Sequence, residues 1–223
     1  TDMSTGHQRD PVLYVLYASP AVRSVLVTAK ILNLKLDERE VDFLKGEHLK
    51  PEYLKLNPLH TMPTLNDNGN IINDSHAINT YLVGKYGQDD SLYPKDLYQR
   101  ALVDQKLAFN LGKLYPILVS VDYAYLKGEI KAIPPEDIER IRTLYDFLEA
   151  FLENSDWISL GTFSLADIHC YTTISCMNFH VTLDEKIYPK SYGWMMRCRS
   201  LPCFSDDHER VKLFEDYFKS FQE

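Results

Sequence analysis

From Val12 to Tyr17 every residue is apolar or aromatic, and the run ends at Ala18-Ser19-Pro20. A short buried strand followed by a hydroxyl and a proline is how a strand hands over to a helix, since proline suits a first helical position. Val22, Val25, Leu26 and Ala29 then recur at three- and four-residue spacing and predict one buried face on a helix over 20–32. A partly exposed strand is expected over Leu36–Phe43 and a short helical turn near His48–Leu56. Pro63-Thr64-Leu65 and Ile71-Ile72 flank Asp67-Asn68-Gly69, a strong hairpin signal. A helix is predicted from about Ser75 to Lys85-Tyr86, with Gly87 as its C-cap. This order of elements, βαβ then αββα, describes a small mixed sheet with helices on its faces.

The stretch 88–96 turns polar around Pro94 and reads as a linker; beyond it the periodicity is helical throughout. A long helix is expected over Leu97–Leu126, kinked at Pro116. Ile138, Ile141, Leu144, Tyr145, Leu148 and Leu152 mark an amphipathic helix opened by Pro134-Pro135. Ser164 and Asp167 form a capping box, with Phe163 and Ile168 placed as its hydrophobic staple. Val211, Phe214, Phe218 and Phe221 suggest a last helix folding back onto the core. Two domains follow, an α/β unit over 11–87 and an all-α unit over 97–223; the polar segment up to Arg9 is set aside.

At 223 residues with 45% hydrophobic and 25% charged positions the chain is expected to be an ordinary globular protein. A net charge of −8 argues against nucleic acid or an acidic membrane as partner. The early apolar run is too short for a secretory or membrane-spanning segment. Cys170, Cys176, Cys198 and Cys203 lack zinc-type spacing and read as reduced thiols, consistent with a cytoplasmic setting and no metal.

Chemistry is concentrated in three segments: the Ser19 turn, Gly46-Glu47-His48 continued by Leu59-His60-Thr61-Met62-Pro63, and Asp74-Ser75-His76. Singly each has a plain structural reading. Ser19, Asp74 or Ser75 could cap helices, and His48 and His60 could be surface residues. Together the motifs L-Y-x-L-x-x-S-P-x-x-R, G-E-H-L-K-P-E-Y-L-K-L-N-P-L-H-T-M-P-T-L, D-S-H-A-I and S-L-A-D-I resemble cytosolic glutathione transferases, nearest the insect delta and epsilon classes.

The resemblance implies a thioredoxin-like N-terminal domain followed by an all-helical domain, and a homodimer. It implies Ser19 as the catalytic hydroxyl that favours the thiolate of bound glutathione, a co-substrate that leaves no need for a cofactor. His48 and His60 would hold the glycyl carboxylate, helped where protonated. Met62 before a cis Pro63 would pair with the cysteinyl backbone. Asp74, where the nearest classes usually carry Glu, would take the amino group, and Ser75 the γ-glutamyl carboxylate. His76 stands where the delta class often has Arg, and is a further candidate for the polar rim. Ala18, Tyr115, Leu118, Val119 and Asp122 match the pocket for a lipophilic electrophile. Asp122 is open between a pocket carboxylate and a solvated helix face. The activity implied is conjugation; the rival readings are a carrier of hydrophobic ligands or steroids with little turnover, and glutathione-dependent peroxidase or isomerase chemistry.

Overall fold

A computed structural model describes residues 9–220. Four strands form one mixed sheet in the order β2-β1-β3-β4: β1 (Val12–Val15), β2 (Asp37–Glu40), β3 (Thr64–Asp67) and β4 (Asn70–Asn73). β1 runs parallel to β2 and antiparallel to β3, and β3 pairs antiparallel with β4. The β3–β4 turn has Asn68 and Gly69 both at positive φ, the backbone a two-residue hairpin requires. Helices α1 (Pro20–Ile31) and α3 (Ser75–Tyr86) pack on the sheet, and a short α2 (Pro51–Leu54) follows a 3-10 turn at Glu47–Leu49. Leu13, Val15, Val22, Val25, Leu65, Ile78 and Leu82 are the centre of this core.

The helical half comprises α4 (Leu97–Phe109), α5 (Tyr115–Leu126), α6 (Pro135–Phe151), α7 (Leu165–His180), α8 (Pro189–Ser200) and α9 (Asp207–Lys219). Its own core surrounds the fully enclosed Trp194, whose indole N–H donates to Asp167. The Asp167 carboxylate also accepts from the Ser164 backbone and hydroxyl and from the Ile158 N–H, so the predicted capping box anchors three segments. The four cysteines are free, and burial pushes their thiols up, to about 12 for Cys176 and about 11 for Cys203. Among the described residues no helix is long and apolar enough to cross a membrane.

Two local expectations are corrected and one is met. The second strand is only Asp37–Glu40, an exposed edge, because Val41 turns inward and Phe43 leaves to stack on His48. Gly87 is the C-cap of α3, as expected: its N–H donates to the Val83 carbonyl, in an extended conformation, and glycine is required because a Cβ would collide with that carbonyl oxygen. The helix expected over 97–126 is interrupted by a wide π turn at Asn110–Leu114, where the Tyr115 N–H reaches back to the Asn110 carbonyl. Pro116 lacks the N–H that an unbroken helix would direct at Gly112. Phe221 lies outside the described residues.

The halves are joined through Arg23, fully buried on α1. Its Nε and Nη2 fork onto the two Asp207 oxygens at 2.8 and 2.7 Å, and Nη2 also donates to the Ser175 hydroxyl at 2.8 Å. One guanidinium thus ties α1 to α7 and α9. Asp207→Ala strands a buried cation, and a loss of about 3–5 kcal/mol is expected in urea unfolding; a loss below about 1 kcal/mol would mean the pair behaves like a surface bridge.

Asp67 gathers the hydroxyls of Tyr81 and Tyr86, at 2.7 and 2.8 Å, and the Lys85 ammonium. Burial pushes its carboxyl up, but Lys85 and the tyrosines outweigh burial and hold it at about 2. A folded value below the unfolded one stabilises the fold above the ordinary carboxyl range and is lost as pH falls through the folded value. Asp67→Asn is therefore expected to cost roughly 2–3 kcal/mol near neutrality. In urea melts at successive pH values, that deficit should shrink between about pH 4 and pH 2.

Candidate functional site

Ser19 is the last extended residue before α1, and its hydroxyl makes no capping bond with the helix it precedes. The Tyr115 phenol stands beside it on the cavity wall. Burial pushes the Tyr115 phenol up to about 12, the hydrogen bond with Ser19 working against it. A hydroxyl that does not cap the helix it precedes, set beside that helix's N-terminus, is suited to an anion. It lines a cavity of about 730 Å³ between the sheet domain and α5 and α9.

Ala18, Tyr115, Leu118, Val119 and Asp122 line this same cavity, joined by Met62 and His60. Of the two readings of Asp122, the structure selects the cavity wall. Its Oδ1 accepts from His180 Nε2 at 2.7 Å, and its side chain is 15% exposed. Burial raises the Asp122 carboxyl, against the lowering effect of His180.

A narrower groove of about 130 Å³ adjoins it, lined by Met62, Pro63, Asp74, Ser75 and His76 from the sheet domain. Its opposite wall includes Asn110, His169 and Thr173. Met62, Thr61, Pro20 and Tyr115 border both spaces, so the two are continuous. The Met62–Pro63 bond is cis. Asn57, completely buried, holds this corner: its Nδ2 donates to the Thr61 carbonyl and hydroxyl and to the Thr64 hydroxyl, and its Oδ1 accepts from the Leu59 N–H. The Tyr53 hydroxyl donates to the same Thr61 carbonyl at 2.6 Å.

Asp74 opens α3 at a positive φ, and its Oδ1 accepts from the His76 and Ala77 N–H groups at 2.8 and 3.2 Å. Burial raises its carboxyl, but His76 and the Ala77 N–H prevail and leave it lowered. One oxygen is therefore engaged by the helix, and only Oδ2 is left for an amine. Ser75 is buried at the first turn of that helix.

Two histidines differ from expectation. His48 lines neither space; it is buried, stacked on Phe43 at 4.3 Å, with its ring 6.0 Å from that of His60. Burial, and secondarily His60, lowers its pKa. His76 lines the narrow groove beside Asp74 and Ser75 rather than the large cavity that His60 borders, and it packs toward α7. Its ring stacks on His169 at 3.9 Å, and both its nitrogens are buried without a hydrogen bond. Burial drives His169 well below the ordinary histidine range.

Sequence reasoning missed His169, His180 and the aromatic wall from α9. Phe214 and Phe218 were read as packing residues, yet they also face the cavity. The available signal was a polar ring within an otherwise buried helix: His169 and His180 both sit on α7. Among the described residues no group of His, Cys, Asp and Glu forms a metal-binding cluster.

Comparison with known proteins bears on this geometry. Residues 13–90 match the family described as "Glutathione S-transferase, N-terminal domain", and residues 105–202 match "Glutathione S-transferase, C-terminal domain". Glutathione S-transferase 1 of Manduca sexta is 45% identical over 195 residues, 86% of this chain and 89% of the relative. An epsilon-class glutathione S-transferase from the housefly Musca domestica superposes with a TM-score of 0.92 at 39% identity, covering 95% of this chain and 98% of the other. A Drosophila mojavensis glutathione transferase homolog with bound glutathione does so with a TM-score of 0.92 at 39% identity, covering 95% and 97%.

Asn57→Ala removes the four Asn57 side-chain bonds at the Leu59–Pro63 corner and leaves the Tyr53 hydroxyl on the Thr61 carbonyl. Stability should fall by about 1–3 kcal/mol, and hydrogen exchange at the Leu59 amide should accelerate; unchanged exchange would mean the corner is held without Asn57.

Proposed function

The chain belongs to the glutathione S-transferase family, and from that premise we propose that it conjugates the thiolate of glutathione to lipophilic electrophiles. The observation that carries the reading is the Ser19 hydroxyl, left uncapped at the start of α1 and facing the large cavity. Glutathione is the co-substrate, with no further cofactor, and the chain works as a homodimer in the cytoplasm.

A free thiol ionises near ~8.5, and lowering that by two units takes roughly 2.7 kcal/mol of preference for the anion. A hydrogen bond donated by Ser19 to the sulfur, with the partial positive charge of the α1 N-terminus, is of that order. Tyr115 assists: a phenol at about 12 stays protonated at neutral pH and can donate to the Ser19 oxygen. The Ser19 hydrogen is then free to point at sulfur. The thiolate attacks the electrophilic carbon, forming the C–S bond as the leaving group departs or an adjacent π bond opens. The protein contributes positioning and charge stabilisation.

The remaining groups orient the tripeptide. The Met62 backbone meets the cysteinyl unit beside the cis bond. The start of α3 and Ser75 take the γ-glutamyl carboxylate, and Asp74 Oδ2 takes the ammonium. His60 meets the glycyl carboxylate directly, with the neutral His48 ring behind it. His76 supports the γ-glutamyl end through its stack on His169, which fixes the start of α3 against the helical domain.

Ser19→Ala tests the assignment. The absorbance titration of the bound thiolate should move up by about 1–2 pH units, and kcat/KM toward chlorodinitrobenzene should fall about 10- to 100-fold. An unmoved titration would remove Ser19 from the chemistry.

A further inference from the structure

The large cavity does not treat charge evenly. Its charged lining is Glu40, Asp42, Glu47 and Asp122 against Lys45 alone. Asp42 pairs with Lys45, and Glu47 with Lys50, so those two are largely neutralised. Asp122 differs from the rest by lying on the helical-domain wall, 15% exposed, amid Tyr115, Tyr123, Phe214, Tyr217 and Phe218. A carboxylate set among aromatic rings is costly to keep unless something fits it. Leucines would line a site for a neutral lipophile at no such cost.

His180 makes the arrangement rigid. Its fully buried ring is stacked on Tyr125 at 5.7 Å and edged by Phe214 and Phe218, and its Nε2 holds Asp122 Oδ1. With Oδ1 taken, Oδ2 is the acceptor left for a ligand. Ring faces and a fixed carboxylate are the two elements that recognise an ammonium group: the π quadrupole attracts the cation and the carboxylate takes its N–H.

We propose that the second-substrate cavity selects lipophilic organic cations, with Asp122, positioned by His180, as the specificity-determining residue. The inference rests on the transferase reading for what is done to the bound molecule, and concerns which molecules enter. Anionic lipophiles are disfavoured by the same wall.

The test is direct binding by calorimetry to the protein saturated with S-methylglutathione. Three matched ligands are used: 2-(1-naphthyl)ethylamine, protonated at neutral pH, 2-(1-naphthyl)ethanol and 1-naphthaleneacetate. The ammonium should bind about tenfold or more tighter than the alcohol, and the carboxylate weakest. Asp122→Asn, which keeps the shape and an acceptor for His180, should bring ammonium and alcohol within about twofold. Equal binding of ammonium and alcohol by the unaltered chain would overturn the proposal, as would a preference that survives Asp122→Asn. The unaltered chain supplies the first criterion even where the variant fails to fold. Failure to turn over chlorodinitrobenzene would count against the transferase reading alone, since the charge preference is read from binding.

Discussion

The Arg23 guanidinium is the joint on which both halves of this molecule turn. It lies one turn inside α1, the helix that Ser19 precedes, and its fork onto Asp207 fixes where α9 begins. The floor of the large cavity comes from α9, through Phe214 and Phe218. The distance between nucleophile end and aromatic floor is thus set by one buried ion pair. Such a pair contributes little net stability over an apolar replacement, because desolvation offsets most of the attraction. What it supplies is direction: two nearly parallel N–H···O bonds admit one relative placement of the two helices.

A second fixed point lies across the groove. Asn57 and Tyr53 converge on the Thr61 carbonyl, so the backbone from Leu59 to Pro63 is held from the inside. His60, at a positive φ, projects outward from that held corner and is exposed, while His48 is packed behind Phe43. Two histidines that look equivalent as residue types therefore do unequal work. Burial lowers the pKa of His48, and His60 is the ring that borders the cavity.

What was legible in the chain was whatever depends on neighbours in sequence. The strand at Val12–Val15, the hairpin at Asn68-Gly69 and the Ser164–Asp167 capping box are short-range statements, and each is found where its residues place it. The α6 stripe is equally local. Ser19, Asp74 and Ser75 could be placed at helix starts for the same reason, and the family resemblance supplied their grouping. The illegible features are set across long separations. Nothing near Asp122 announces His180, 58 positions on, and nothing near His76 announces His169, 93 positions on. Gly87 was legible as the C-cap of α3, but the backbone crowding that makes glycine necessary there was not.

The placement of charge across the cavity follows from these fixed points. At one end, a hydroxyl not used as a helix cap and the start of α1 present donors; at the wall formed by α5, a carboxylate is held fast by a buried imidazole. The two ends therefore favour opposite charges. On the proposed reading, a tripeptide with two carboxylates is drawn to the start of α1 and the start of α3 and turned away from Asp122. A hydrophobic partner gains most by filling the aromatic side with any donor or cationic group directed at Asp122. Substrate orientation on this account needs no moving part. It follows from the sign of the potential at each end, and that sign was set when Arg23 and His180 fixed the helices and the carboxylate in place.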